Sequence, residues 1–489
     1  MQPELSFMRS VLVGHADCQP QRLALWGDSA RLDYQGMLDE LQRREALLRS
    51  ERVEVLALAL ENGPDAVLWD LAALFAGVAC LILPPFFSAA QRAHCLRQSG
   101  ATLALAEAGM AEELQACGFH QEGQFWRGAA AVDCLKLPTG TAKITYTSGT
   151  TGTPKGVCLS AEAMLKVARE LQQASRETAP QQYLAVLPLA VLLENLGIYA
   201  ALLAGATLSL PSQAMLGISG ASGVDWPRLF GQMAMRGAQS LILVPQLLLG
   251  LVTAVERGLM PANGFRFIAV GGARVSPQLL ERAARVGLPV FEGYGLSECA
   301  SVVCLNRPGA VRPGTVGKPL PHVRVRLAED GEVLVAGSHL LGYLGEPEFQ
   351  GEWWPTGDIG EFDADGYLQL RGRKKHQFVT SFGRNVNPEW VESELTQRGV
   401  IAQAFVHGES LPENVALLWP LDPSCTDEQL EATVQQANAV LPDYARIGRW
   451  QRLQQPFTPA SGLLTANGRL RRDAILARYG ELFTESLTV

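Results

Sequence analysis

Residues 144–157 read ITYTSGTTGTPKGV. An apolar run opens into a stretch of small hydroxyl residues and glycines around one lysine. Such a loop wraps phosphates well. Glycines let backbone N–H groups converge, hydroxyls add donors, and the ammonium offsets charge. The Walker pattern GxxxxGK[ST] does not fit, because Pro154 precedes Lys155 and Gly156 follows it. The stretch reads as a phosphate loop of another type; a flexible solvent loop is the bland alternative.

Composition bounds the rest. A chain of 489 residues exceeds one ordinary core, so two or more domains are expected. It is 47% hydrophobic and 18% charged, which argues for a folded soluble protein. The net charge of -8 argues against nucleic acid and against a basic membrane surface. The nine cysteines are dispersed without CxxC pairs, which points to reduced thiols in a cytoplasm and to no zinc site. The N-terminus lacks the basic start and long apolar core of a signal peptide. LAALFAGVACLIL at 71–83 is too short for a membrane span and reads as a buried helix feeding a buried strand.

Strand-like runs at 53–60, 101–107, 182–189, 240–245 and 265–272 alternate with helical spacing such as PQLLERAARVG at 277–287. That alternation predicts α/β layers with largely parallel sheets. Near residue 310 short strands with EDG and ADG turns take over, predicting a small antiparallel unit. A further boundary falls near RGRKKHQFV at 371–379, followed by enough chain for a small α+β domain.

TSGTTGTPKG closely resembles the signature loop of the adenylate-forming superfamily, which includes acyl-CoA synthetases, peptide-synthetase adenylation domains and luciferases. Further segments match in order over almost the whole chain: VGGARVSP at 270–277, EGYGLSE at 292–298, WWPTGDIGEF at 353–362, GRKKHQFVTSFGRNVNPEWVE at 372–392 and TANGRLRR at 465–472. The wording is nearest to long-chain acyl-CoA synthetases. The resemblance implies an N-terminal domain over 1–372, built of two α/β subdomains and a small β unit. A mobile α+β C-terminal domain over 373–489 would follow, with its hinge near Lys375.

The resemblance also implies site roles. Thr147, Ser148, Gly149, Thr150, Thr151, Gly152 and Lys155 would hold ATP phosphates. Gly271, Gly272 and Ala273 would line the adenine pocket, with Glu292, Gly293 and Gly295 beside it and Tyr294 stacked on the base. Ser297 would contact the phosphate region; Glu298, with Thr147, would hold Mg²⁺. Asp358 would accept from the ribose hydroxyls, supported by Arg373, and Gly383 would let a pantetheine chain pass. Val191, Leu192, Asn195, Val244, Gly271 and Gly295 would bound the acid pocket.

Two positions depart from the family. Arg469 stands where a catalytic lysine is usual; it keeps the charge but not the compact shape. Only seven of the 41 basic residues are lysines and none follows Lys375, so a change from Lys to Arg is easy in this chain. Val191 stands where a histidine or aromatic residue is usual in LPLxHxxE, implying an altered acid site, while Glu194 is retained. VPQLLLGLV at 244–252 suits either an apolar acid pocket or simple core.

The implied activity is ATP-dependent formation of an acyl-adenylate with release of pyrophosphate, then transfer to CoA of a fatty or other apolar acid. An amine such as an amino acid, or a carrier-protein thiol, are the alternative acceptors. A weakly catalytic nucleotide- or acyl-binding protein is the reading outside enzymes. ATP, Mg²⁺ and CoA are the implied small molecules, and the assembly is a monomer or homodimer.

Overall fold

The computed structural model describes residues 3–484 apart from 130–133, 148–153, 220–222, 383 and 466–467. The N-terminal part holds two large sheets. In the nine-stranded sheet, Val290–Tyr294, Phe267–Val270, Ser240–Leu243, Gln182–Leu184, Thr207–Ser209 and Leu23–Trp26 lie side by side in that order, all parallel. In the eight-stranded sheet the parallel centre is Thr141–Thr147, Ala79–Ile82, Val55–Ala59 and Leu103–Ala106. Antiparallel strands close the edges of both.

Parallel strands covered by helices on both faces are apolar throughout, and Val55–Leu58 and Ser240–Leu243 are buried residue after residue. The apolar run at 71–83 divides as expected. Helix Pro64–Ala76 stops where Gly77 turns left-handed (φ +76°), its N–H reaching the Ala73 and Leu74 carbonyls, and strand Ala79–Ile82 follows.

The run at 182–189 is a strand only through Leu184, and the helix after it starts at Leu192. Buried side chains claim the intervening backbone. Asn62 accepts from the Leu189 N–H and donates to the Leu187 carbonyl, both at 2.8 Å, and Glu194 accepts from the Leu187 N–H at 2.9 Å. Tyr183 donates to the other Glu194 oxygen at 2.5 Å. A Cβ at Gly197 would lie 2.4 Å from the Tyr183 hydroxyl oxygen, so only glycine lets the helix sit this close.

A four-stranded antiparallel unit follows: Val323–Leu327, Glu332–Gly337, Trp354–Phe362 and Leu368–Arg373. The C-terminal domain has a three-stranded sheet, Ile401–His407, Asn414–Pro420 and Ile447–Arg452, covered by helices Pro388–Thr396 and Asp427–Asn438. Thr426 and Gln429 form a capping box at the second helix. Where the chain leaves the β unit, Gly372 has φ +135°, and a Cβ there would sit 1.5 Å from the Asn387 amide nitrogen. Asn387 caps the first helix of the C-terminal domain and donates to the Arg371 carbonyl. Among the described residues, no helix is long and apolar enough to cross a membrane.

Candidate active site

Strands Ser240–Leu243, Phe267–Val270 and Val290–Tyr294 run parallel and end on one edge, where open α/β sheets receive ligands. Val244, Gly271 and Gly295 stand just past those ends. Gly272 has φ +82°, and a Cβ on it would lie 3.8 Å from the Val244 Cγ1. A Cβ on Gly271 would meet the Gly293 carbonyl at 3.4 Å and the Leu193 Cδ2 at 3.9 Å, which brings the helix after Val191 to the same edge. Gly272 and Ala273 are exposed.

The segment after Tyr294 doubles back on itself. A Cβ on Gly295 would fall 1.5 Å from the Ser301 carbonyl oxygen. The return is made by Ala300 (φ +51°) and Ser301 (φ +80°), two consecutive non-glycine residues in the left-handed region. Backbone held there costs of order 1–3 kcal/mol per residue and is tolerated where the surroundings impose it. The return directly follows the single turn Ser297–Cys299, which carries Glu298.

Asp358 is 6% exposed on strand Trp354–Phe362 and faces Arg373 across the ladder. Arg373 Nε contacts Oδ1 at 2.9 Å, and the Tyr294 hydroxyl donates to Oδ2 at 2.6 Å. Burial raises the Asp358 pKa and the Arg373 charge pulls it back. Arg373 is fixed in turn by donating to the Thr356 carbonyl at 2.8 Å. Tyr294 is 8% exposed, with its ring in the core of the β unit, so it meets this site chiefly through its hydroxyl. Glu292 is also buried; burial pushes its carboxyl up to about 8, against the opposing pull of Arg274 and the Val275 N–H.

Lys155 opens the strand beside Thr147, its register partner. Its ammonium is 3.1 Å from Glu346 Oε1 and 5.2 Å from the centroid of the Tyr343 ring. The Tyr343 hydroxyl donates to Glu298 Oε1 at 2.8 Å. Strand Gly342–Tyr343 is stitched to both flanks: Tyr343 pairs with Val157, and the Leu340 N–H reaches the Glu298 carbonyl at 2.6 Å. Glu298, Tyr343 and Lys155 thus form one half-exposed cluster. Among the described residues no group of three or more His, Cys, Asp or Glu side chains converges on a point. One carboxylate, completed by substrate phosphates and water, is a donor set Mg²⁺ accepts.

The C-terminal domain reaches this edge through Arg469. Its backbone is held by Thr465, whose N–H donates to the Arg469 carbonyl at 2.7 Å and whose Oγ1 accepts from the Arg469 N–H at 3.0 Å. The guanidinium approaches the Gly272 carbonyl at 3.5 Å. Desolvation in the cleft and then the Arg373 charge lower its pKa, while Glu389, Glu298 and Asp358 pull the other way. A guanidinium keeps its charge even so. The domains are latched beside it: Gln397 accepts from the Ser276 N–H at 2.5 Å and donates to the Arg274 carbonyl at 2.8 Å.

The geometry therefore brings together Gly271, Gly272, Ala273, Tyr294, Glu298, Asp358, Arg373, Val244 and Arg469, with Thr147 and Lys155 on the neighbouring sheet. Ser148, Gly149, Thr150, Thr151, Gly152 and Gly383 lie outside the described residues. Asn195 is 1% exposed and its amide donates to Asp70 at 2.7 Å, so it braces the core. Leu192 is buried and Val191 half-buried at the helix start. Leu247, Leu248, Leu251 and Val252 are buried in the main cluster, so the leucines of 244–252 serve the core. Lys375 is exposed, and desolvation and the Arg373 charge lower its pKa. Tyr343, Glu346, Arg274 and Gln397 were not singled out from the sequence; each matters only through a partner distant along the chain.

Comparison with known proteins identifies the family. The family described as AMP-binding enzyme matches residues 13–344, and AMP-binding enzyme C-terminal domain matches 375–486. The chain belongs to the AMP-binding enzyme family. It is 33% identical over 239 residues to the long-chain-fatty-acid–CoA ligase FadD15 of Mycobacterium bovis, a match covering 43% of this chain and 40% of that one. It is 27% identical over 430 residues to the 2-succinylbenzoate–CoA ligase of Bacillus licheniformis, covering 80% and 85%. In fold it is similar to O-succinylbenzoate coenzyme A synthetase from Bacillus subtilis in complex with ATP and magnesium ion, with TM-score 0.74 and 22% identity over 95% of this chain and 98% of that one.

Proposed function

We propose that this protein activates a carboxylic acid with ATP and passes the acyl group to CoA. The observation that supports it most is the approach of Arg469, from the C-terminal domain, to the Gly272 carbonyl beside Asp358 and Glu298. A cation brought from the second domain to the edge that would hold the nucleotide is what joining a carboxylate to a phosphate requires. The two named relatives are both CoA ligases, which favours CoA over an amine or a carrier thiol.

A carboxylate is a poor acyl donor because oxide is a poor leaving group. In the proposed reaction a carboxylate oxygen attacks the α-phosphorus of ATP, the bond to the bridging oxygen breaks, and pyrophosphate departs. Arg469 lies across both reactants and offsets their mutual repulsion; its fork suits carboxylate and phosphate alike. Lys155, with the 147–152 loop, holds the outer phosphates. Asp358, oriented by Arg373 and Tyr294, accepts from the ribose, and Gly271–Ala273 bring bare backbone to the base. Glu298 and Thr147 are the residues that would hold Mg²⁺, which when bound supplies charge neutralisation at the phosphates. CoA thiol then attacks the acyl carbon and AMP leaves. We place the pivot for that second step near Lys375 and the passage for pantetheine at Gly383, with domains dividing at 372/373.

Pyrophosphate release with Mg·ATP tests this across a panel of acids, each run alone, with CoA and with mixed amino acids. A fatty acid giving acyl-CoA supports the reading. An acyl-amino acid made while CoA is ignored would move the assignment to amide synthesis. No pyrophosphate with any acid would leave only nucleotide or acyl binding.

A further inference from the structure

We propose that Tyr343 is a positioning residue that locks the metal-binding carboxylate and the phosphate-binding lysine into one unit. The inference rests on the roles given above to Glu298 and Lys155.

Tyr343 acts through both of its parts. The hydroxyl donates to Glu298 Oε1 at 2.8 Å and so restrains the carboxylate. The ring face lies 5.2 Å from the Lys155 ammonium, close enough for a cation–π attraction that holds the lysine beside the carboxylate. Tyr343 is itself well anchored. It pairs with Val157 in the ladder, and its ring meets Trp354 edge-on at 6.0 Å. Groups that orient a metal's ligand through a hydrogen bond commonly alter metal affinity when removed. The two halves make different contributions. The hydroxyl serves the cation and the ring serves the phosphates.

Calorimetric titration of ATP, with and without Mg²⁺, separates the two halves without relying on turnover. Tyr343→Phe keeps the ring and its packing. It is expected to weaken Mg·ATP binding by about 10-fold or more while changing Mg-free ATP binding little. Glu298→Gln should show the same Mg-dependent loss, and the double variant should be no worse than Glu298→Gln, because the hydroxyl acts through that carboxylate. Tyr343→Leu should add a Mg-independent loss of about 2- to 5-fold by removing the ring beneath Lys155. If Glu298→Gln shows the Mg-dependent loss and Tyr343→Phe does not, or if the two losses multiply, the positioning role is overturned and the role of Glu298 stands. If Glu298→Gln itself shows no Mg-dependent loss, the role of Glu298 falls and this inference falls with it. Equal loss for Tyr343→Phe with and without Mg²⁺ would also overturn it.

Discussion

Two clusters in this protein use the same three kinds of side chain: a carboxylate, a lysine and a tyrosine. In one, Asp70 is gripped by Lys143, Tyr199 and Asn195, with Asp70 and Lys143 only 1% and 3% exposed. In the other, Glu298 meets Tyr343 and Lys155, and Lys155 is 54% exposed. The first is closed. Both Asp70 oxygens are taken, and although burial pushes its pKa up, Lys143, Tyr199 and Asn195 bring it below the usual value. The second presents a cation and an anion to solvent beside Thr147, the register partner of Lys155. Residue type does not tell these two clusters apart; satisfaction and exposure do.

The largest effect should come from breaking the closed cluster. Lys143→Met leaves a buried carboxylate without its cation, at about 3–5 kcal/mol. Lys155→Ala removes an exposed charge and should cost at most about 1 kcal/mol of stability while weakening ATP use. Urea unfolding of both variants checks this. Equal stability losses would erase the distinction between the clusters.

Arg469 extends the open cluster from the other domain. Arg469→Ala should slow pyrophosphate release by about 100- to 1000-fold, the scale for removing one preorganised charge partner from a transition state. Transfer to CoA from a supplied acyl-adenylate should change little. Arg469→Lys should keep or raise the first half-reaction. Equal loss in both half-reactions would remove Arg469 from adenylation, and a dead lysine variant would show that the site is rebuilt around the guanidinium fork.

The fold was largely legible because it is written in local pattern. The run at 71–83 breaks at Gly77 as its composition implied, and the EDG and ADG turns mark the hairpins of the β unit. The loop, the glycine segments and Asp358 were legible through their resemblance to a family. The strand pattern at 182–189 holds only to Leu184, because Asn62 and Glu194, both polar and both buried, capture its second half. Asn195 belongs to the core through Asp70, which is remote in sequence. Tyr343 stayed hidden because its partners, Glu298 and Lys155, are remote from it and from each other along the chain.

Glu194 sharpens the comparison as a third case, a buried carboxylate held by hydrogen-bond donors. Burial pushes it up to about 8, with Tyr183 and the backbone N–H groups opposing. In the unfolded chain it loses its proton near 4.5. Raising the pH between those values therefore deprotonates the unfolded state alone and favours unfolding, and the loss levels off above 8. Glu194→Gln should flatten that decline, by on the order of a few kcal/mol between pH 5 and 8. Its carbonyl accepts from the Leu187 N–H and its amide donates to the Tyr183 oxygen. Glu292, also pushed up to about 8, leaves a residual slope. Unfolding midpoints at the two pH values decide it, and parallel declines would mean that Glu194 ionises normally in the fold.

The smallest effect belongs to Glu346, the counter-ion of Lys155. Both partners are about half exposed, 54% and 51%, so the pair contributes little stability. Its consequence is competition. The ammonium that should meet phosphate rests 3.1 Å from Glu346 Oε1, so binding ATP must exchange one anion for another. Glu346→Gln removes the competing charge and leaves the Tyr343 ring in place. The KM for ATP should fall about 2- to 3-fold, with kcat unchanged and the difference vanishing in high salt, where exposed charges are screened. A rise in KM would show instead that Glu346 holds Lys155 in register for the nucleotide, making it a partner of Tyr343 and no longer a rival of ATP.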